Sequence, residues 1–294
     1  MDQAEQLRKL VGQQIQHSGS TRVIAVTSGK GGVGKTSLSV NLAIQFSKKG
    51  QRVVIIDADF GLANVEIMLG IRPKYTMSDL IYNDMSIDEI ITEGPMGIGF
   101  ISGGSGVQDM VNLDKEQLRV LIGKLVRLDT LADVVIVDTG AGISDSVLEF
   151  VLSSPEVLIV ATPEPTSITD AYSLLKTVNR SKEFVPEEKK IQIVSNRVSS
   201  KEEGREIYEK LNIVSTKFLN IHLEYLGEIF QDMNVSKAVI EQKPVSLAYP
   251  NSVSVKNYQE ICNRMTDAEE TQDEEKGGIA KFFLTFIRQK RKKY

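Results

Sequence analysis

Apolar runs of strand length recur along the chain and alternate with stretches whose apolar residues fall at helical spacing. Val23–Val26, Val53–Ile56, Val134–Val137 and Val157–Ala161 are continuous rather than alternating, the pattern of strands covered on both faces. Segments 97–101, 191–195 and 223–229 read as further strands. Between them, Leu38, Leu42, Ile44 and Phe46 predict a helix over 36–49 that stops at Gly50, and Leu118, Leu121, Leu125 and Leu128 predict one over 114–129. Short helices are expected within 76–92, and helices over 233–242 and 253–265 close the pattern. Strand and helix in alternation predict a doubly wound, mostly parallel α/β sheet over residues 21–265. With 41% hydrophobic residues in 294, the chain has enough for such a core.

The two ends depart from this pattern. Residues 1–20 form a polar arm with Ala4, Leu7 and Val11 at helical spacing, joined to the first strand by Gly19-Ser20. Residues 266–276 are an acidic linker without periodicity, expected to be disordered. In residues 277–294, Ile279, Phe282, Phe283, Phe286 and Ile287 make one apolar stripe beside Lys281, Arg288, Lys290, Arg291, Lys292 and Lys293. This tail carries +6 of a chain whose net charge is −4, so the body ahead of it carries −10. An acidic body argues against broad DNA binding and against a specific nucleic-acid partner. A stripe with basic flanks suits an anionic membrane surface, and a terminal helix docked on the body is the alternative.

One cysteine, Cys262, allows neither a disulfide framework nor a thiolate metal site within the chain. His17 and His222 stand apart from any carboxylate cluster and carry no hypothesis. With no apolar run suited to a signal peptide or a membrane span, a cytoplasmic protein, peripheral at the membrane's inner face, is expected.

The chemistry concentrates where the first strand ends. Gly29 to Thr36 fits G-x-x-x-x-G-K-[ST], a phosphate-binding loop between a strand and a helix. Gly31, Gly32 and Gly34 let backbone N–H groups turn inward, the next helix aims its N-terminus at the anion, Lys35 adds a point charge, and the Thr36 hydroxyl can bind Mg²⁺. The cofactor-binding set is Gly29, Lys30, Gly31, Gly32, Val33, Gly34, Lys35, Thr36 and Ser37. Asp57, Asp59 and Asp138 end strands, which places them beside the phosphates in a parallel sheet.

Lys30-Gly31-Gly32-Val33-Gly34-Lys35-Thr36 resembles the deviant Walker A motif of the MinD/ParA family, ATPases that dimerise face to face around two nucleotides. The resemblance implies ATP and Mg²⁺ as cofactors, an ATP-dependent homodimer, and a Lys30 that reaches the neighbouring subunit's phosphates. It makes Lys30, Lys35 and Asp59 the catalytic set, with Asp59 activating the attacking water, Asp57 and Asp138 supporting Mg²⁺ with Thr36, and Phe60–Asn64 as switch I. Asp138-Thr139-Gly140-Ala141-Gly142 resembles switch II, whose Gly142 N–H can sense the γ-phosphate. Asn196-Arg197-Val198-Ser199 lacks the guanine-reading aspartate, which gives Asn196 the adenine edge. Phe230 stands where relatives carry proline, which leaves the second wall of the base pocket open.

The tail resembles a membrane-targeting helix of this family, and Asp2-Gln3-Ala4-Glu5-Gln6-Leu7-Arg8 resembles the D-Q-A-x-x-L-R motif of its flagellar-number branch, the FlhG type. In that branch Gln3, Leu7 and Arg8 belong to an arm that stimulates a signal-recognition-type GTPase. The expected partners are this GTPase, anionic lipids and a second copy of the chain, with flagellar switch (C-ring) proteins as a further candidate. A septum-site regulator and a DNA-partition ATPase are the alternatives.

Overall fold

The computed structural model describes residues 21–59, 64–103, 115–267 and 278–291. The arm with Gln3, Leu7 and Arg8, the switch residues 60–63, the glycine-rich 104–106, most of the acidic linker and residues 292–294 lie outside them. The strands are β1 Arg22–Ser28, β2 Val53–Ala58, β3 Thr92–Glu93, β4 Gly99–Ser102, β5 Val134–Ala141, β6 Glu156–Ala161, β7 Lys190–Val198 and β8 Glu224–Phe230. The α-helices are α1 Lys35–Lys48, α2 Asn64–Leu69, α3 Met77–Tyr82, α4 Ile87–Ile90, α5 Lys115–Val126, α6 Leu128–Leu131, α7 Asp145–Ser153, α8 Pro165–Asn179, α9 Lys201–Leu219, α10 Met233–Ile240, α11 Val245–Ala248, α12 Val253–Asp267 and α13 Gly278–Arg291.

One sheet runs β3-β4-β2-β5-β1-β6-β7-β8, parallel throughout except for the short β3–β4 pair. The continuous apolar runs sit at its centre because both faces are covered. On one face Leu38, Leu42 and Phe46 of α1 meet Tyr258, Ile261 and Met265 of α12. On the other, α5, α7, α8 and α9 pack over the strands. The chain leaves β1 toward β2 on one side and later reaches β6 on the other, so the sheet reverses direction at β1. The carboxyl end of β1 is therefore the crevice in which such sheets bind ligands.

Two expectations change. The helix expected over 114–129 ends at Val126, where Arg127 N–H bonds to Lys124 O and Thr130 N–H to Arg127 O. These tighter i to i−3 bonds turn the chain through α6 toward β5 and bury Asp129. The larger change concerns the tail, because its stripe is not presented outward. Ile279, Phe282, Phe283, Phe286 and Ile287 are all buried in the layer that contains α5 and α7. Phe150 of α7 stacks on Phe286 at 4.5 Å between ring centroids, and Phe282 meets Phe283 edge-on at 4.9 Å. The docked alternative is the arrangement found, since each such side chain gains about 1.5–3 kcal/mol on leaving water.

Candidate functional site

The phosphate loop is held from both sides. At Gly29 an added Cβ would lie 2.1 Å from the Asp170 backbone of α8, so only glycine lets that helix close on the loop. Gly34 has φ +99°, and a Cβ there would lie 2.3 Å from Asn196 Nδ2. That amide donates to Val33 O at 2.7 Å, and its oxygen accepts the Arg197 N–H at 2.9 Å. Asn196, expected at the adenine edge, is thus a buried clamp on the loop, because its side chain faces β1 across β6.

Register brings the acids together: Asp57 pairs with Asp138 across β2 and β5, and Val26 pairs with Asp138 across β1 and β5. Asp138 is buried and accepts the Thr36 hydroxyl at 2.6 Å and the Ser39 hydroxyl at 2.8 Å. Burial pushes its pKa up to about 6, against those hydrogen bonds and the nearby Lys35. Burial, then the Asp138 charge, pushes Asp57 up to about 7, although it accepts the Asp59 and Val65 N–H groups. Burial also lowers the Lys35 pKa, while Asp138 and Asp59 oppose that shift. Two buried carboxylates thus crowd one lysine below a row of backbone donors. This donor set fits a divalent cation held between Thr36, the two acids and the phosphates of a nucleotide. Such a cation would satisfy the carboxylates' negative charge, which one lysine does not.

Two expected donors are taken up within the chain. The Gly142 N–H, expected at the γ-phosphate, donates to Ser28 O at 2.9 Å because β5 stays in ladder with β1 up to Ala141. Lys30, expected at a neighbour's phosphates, pairs with the Glu164 carboxylate and donates to Thr166 Oγ1 at 2.8 Å. Thr166 and Ser167, read as caps for the following helix, do neither: α8 begins at Pro165, and Ser167 Oγ accepts the Thr162 N–H at 3.0 Å. Asp59 stays at the mouth of the site, its carboxylate facing Gly140 and within 3.5 Å of Asn64 Nδ2. Ser39 and Glu164 were not anticipated. The position of Ser39, one helical turn after Thr36, was the available signal.

A parallel doubly wound sheet with a glycine-rich loop at β1, a buried lysine and threonine behind it, and acids ending β2 and β5 defines a P-loop NTPase. Residues 19–266 match the ParA family, described as the NUBPL iron-transfer P-loop NTPase, and the chain belongs to this ParA/MinD family. Its one cysteine, Cys262, is buried in α12, so the iron transfer in that description finds no thiolate pair here. The chain is 42% identical over 244 residues to the Antiactivator FleN of Pseudomonas aeruginosa, covering 83% of this chain and 86% of that protein. It is 33% identical over 276 residues to the Flagellum site-determining protein YlxH of Helicobacter pylori, covering 92% of each. The septum site-determining protein MinD complexed with Mg-ADP from Pyrococcus horikoshii shares the fold, with a TM-score of 0.65 at 20% identity over 85% of this chain and 98% of that one.

Proposed function

We propose that this chain is an ATP-hydrolysing switch that dimerises on ATP, associates with membrane through its tail, and regulates flagellar number and placement. The observation that carries the flagellar reading is the reach of the similarity to YlxH. A match over 92% of the chain cannot be contained in residues 21–265, so it takes in part of the terminal segments. Bound ATP supplies the labile phosphoanhydride and Mg²⁺ the charge that steadies it. The chain's residues do the positioning: the loop N–H groups and Lys35 hold the phosphates, Thr36 and Asp138 face the metal, and Asp59 orients the attacking water. The arm, through Gln3, Leu7 and Arg8, is the element that stimulates a signal-recognition-type GTPase.

Membrane association then requires the tail to leave its groove, and its docking is imperfect enough to allow it. Gln289 is buried with neither amide atom hydrogen-bonded, a cost of about 1–3 kcal/mol for each such group. It borders a cavity of about 360 Å³ between α7, the end of α8 and α13.

Size-exclusion chromatography with ATP tests the switch. Asp59→Ala should accumulate a dimer and Lys35→Ala should stay monomeric without binding nucleotide. Co-sedimentation with anionic vesicles should increase with ATP, and deletion from Gly277 should abolish it. A peptide of residues 1–20 should accelerate the GTPase, and Leu7→Ala with Arg8→Ala should lose that effect. A monomeric Asp59→Ala protein in ATP would remove the switch from this reading.

A further inference from the structure

The arm and the tail leave the body at one place. Thr21, where the arm meets β1, is buried, and its hydroxyl donates to Ala132 O at 2.9 Å. Three residues earlier on the same turn, Asp129 Oδ1 accepts the Ile279 N–H at 3.0 Å and so caps the docked tail helix. The Thr21 hydroxyl lies against this carboxylate as well, yet Oδ2 accepts no hydrogen bond. Asp129 is therefore a buried acid with one donor from the tail and a second within reach at the root of the arm.

A hydroxyl has one proton to donate. With the tail docked, that proton satisfies Ala132 O. Without the tail, Asp129 loses the Ile279 N–H, and a bare carboxylate is a stronger acceptor than a carbonyl, by roughly a factor of two. The proton then turns to Asp129 and Ala132 O loses its partner. We infer that Asp129 and Thr21 form a latch coupling the tail to the arm: docking of α13 and the Thr21–Ala132 bond exist together, and release of α13 transfers the bond to Asp129. The inference rests on the proposed function only in that the tail leaves its groove. Coupling of this kind is reciprocal, so a partner that repositions the arm's root shifts the tail equilibrium too.

The signs of two substitutions in the full-length chain test the latch. Asp129→Asn removes the charge at the positive end of the tail helix, and docking should weaken roughly two- to fivefold. Thr21→Val takes a weak bond from the docked state and a stronger one from the released state, so docking should tighten. Thr21→Ser keeps the proton and should match wild type. Amide hydrogen exchange over Ile279–Phe283 reads docking directly: faster in Asp129→Asn, slower in Thr21→Val. Association with phosphatidylglycerol–phosphatidylethanolamine vesicles in ATP should rise and fall in the same order. A merely loosened fold would move both variants the same way, and that result, or a Thr21→Ser protein resembling Thr21→Val, overturns the latch. Exchange that follows the expected order while no variant binds vesicles would leave the latch standing and remove the membrane anchor.

Discussion

Ser39 shows how a single hydroxyl shapes the site. Asp138 carries a buried charge beside Asp57, and its acceptors are filled by Thr36 and Ser39. Losing one donor to a buried carboxylate costs about 1–3 kcal/mol. Ser39→Ala should lower unfolding free energy by that amount in urea, and ATP turnover should fall with it because the acid no longer holds one orientation. Turnover at the wild-type rate would show that Thr36 alone fixes Asp138. The types and spacing of Gly29–Thr36 and the acids at Asp57 and Asp138 were legible in the sequence, since each chemistry permits few residues. The roles of Ser39, Glu164 and Asn196 were not, because each depends on a partner far along the chain: Ser39 bonds to a residue 99 positions away and Asn196 to one 163 away.

Among the elements, the buried strands were readable as unbroken apolar runs, but the place of α13 was not. Ile279, Phe282, Phe283, Phe286 and Ile287 make the same stripe whether it meets lipid or protein, and Phe150 has no mark in the sequence as their counterpart. The carboxyl end of α7 adds a pH dependence to this packing. Lys189 Nζ donates at 2.6 Å to both Leu152 O and Ser154 O, and burial, opposed by Glu188 and aided by Lys281 on the tail, lowers its pKa to about 8. The folded chain therefore binds fewer protons here than the unfolded chain between pH 8 and the ordinary lysine value of 10.5. Stability rises with pH wherever the unfolded state binds more protons, so this contribution climbs across that window and its cost is fully present below it. Denaturant unfolding of wild type against Lys189→Met, from pH 7 to 10.5, should show the difference grow in favour of wild type. Lys281→Gln should shift the start of the rise to higher pH. A difference constant over the range would mean that Lys189 is as well solvated folded as unfolded.

For the whole molecule, the resting position of Lys30 sets a barrier to assembly. In the isolated chain its ammonium pairs with Glu164 and donates to Thr166 at 2.8 Å, so reaching a second subunit's phosphates requires breaking both contacts. The pair is part-exposed, with side chains 35% and 57% accessible, and exposed pairs contribute about 0–1 kcal/mol. Glu164→Gln should therefore lower the dissociation constant of the ATP-dependent dimer by up to about fivefold. The Asp59→Ala background keeps hydrolysis from dissolving the dimer during the measurement. Sedimentation velocity over a protein dilution series in ATP reads the constant. Higher salt screens such a pair, so the advantage of Glu164→Gln should shrink between about 0.05 and 0.5 M salt. A variant that dimerises more weakly than its parent at low salt would place Glu164 on the other side of the equilibrium, holding Lys30 in the dimer rather than in the monomer.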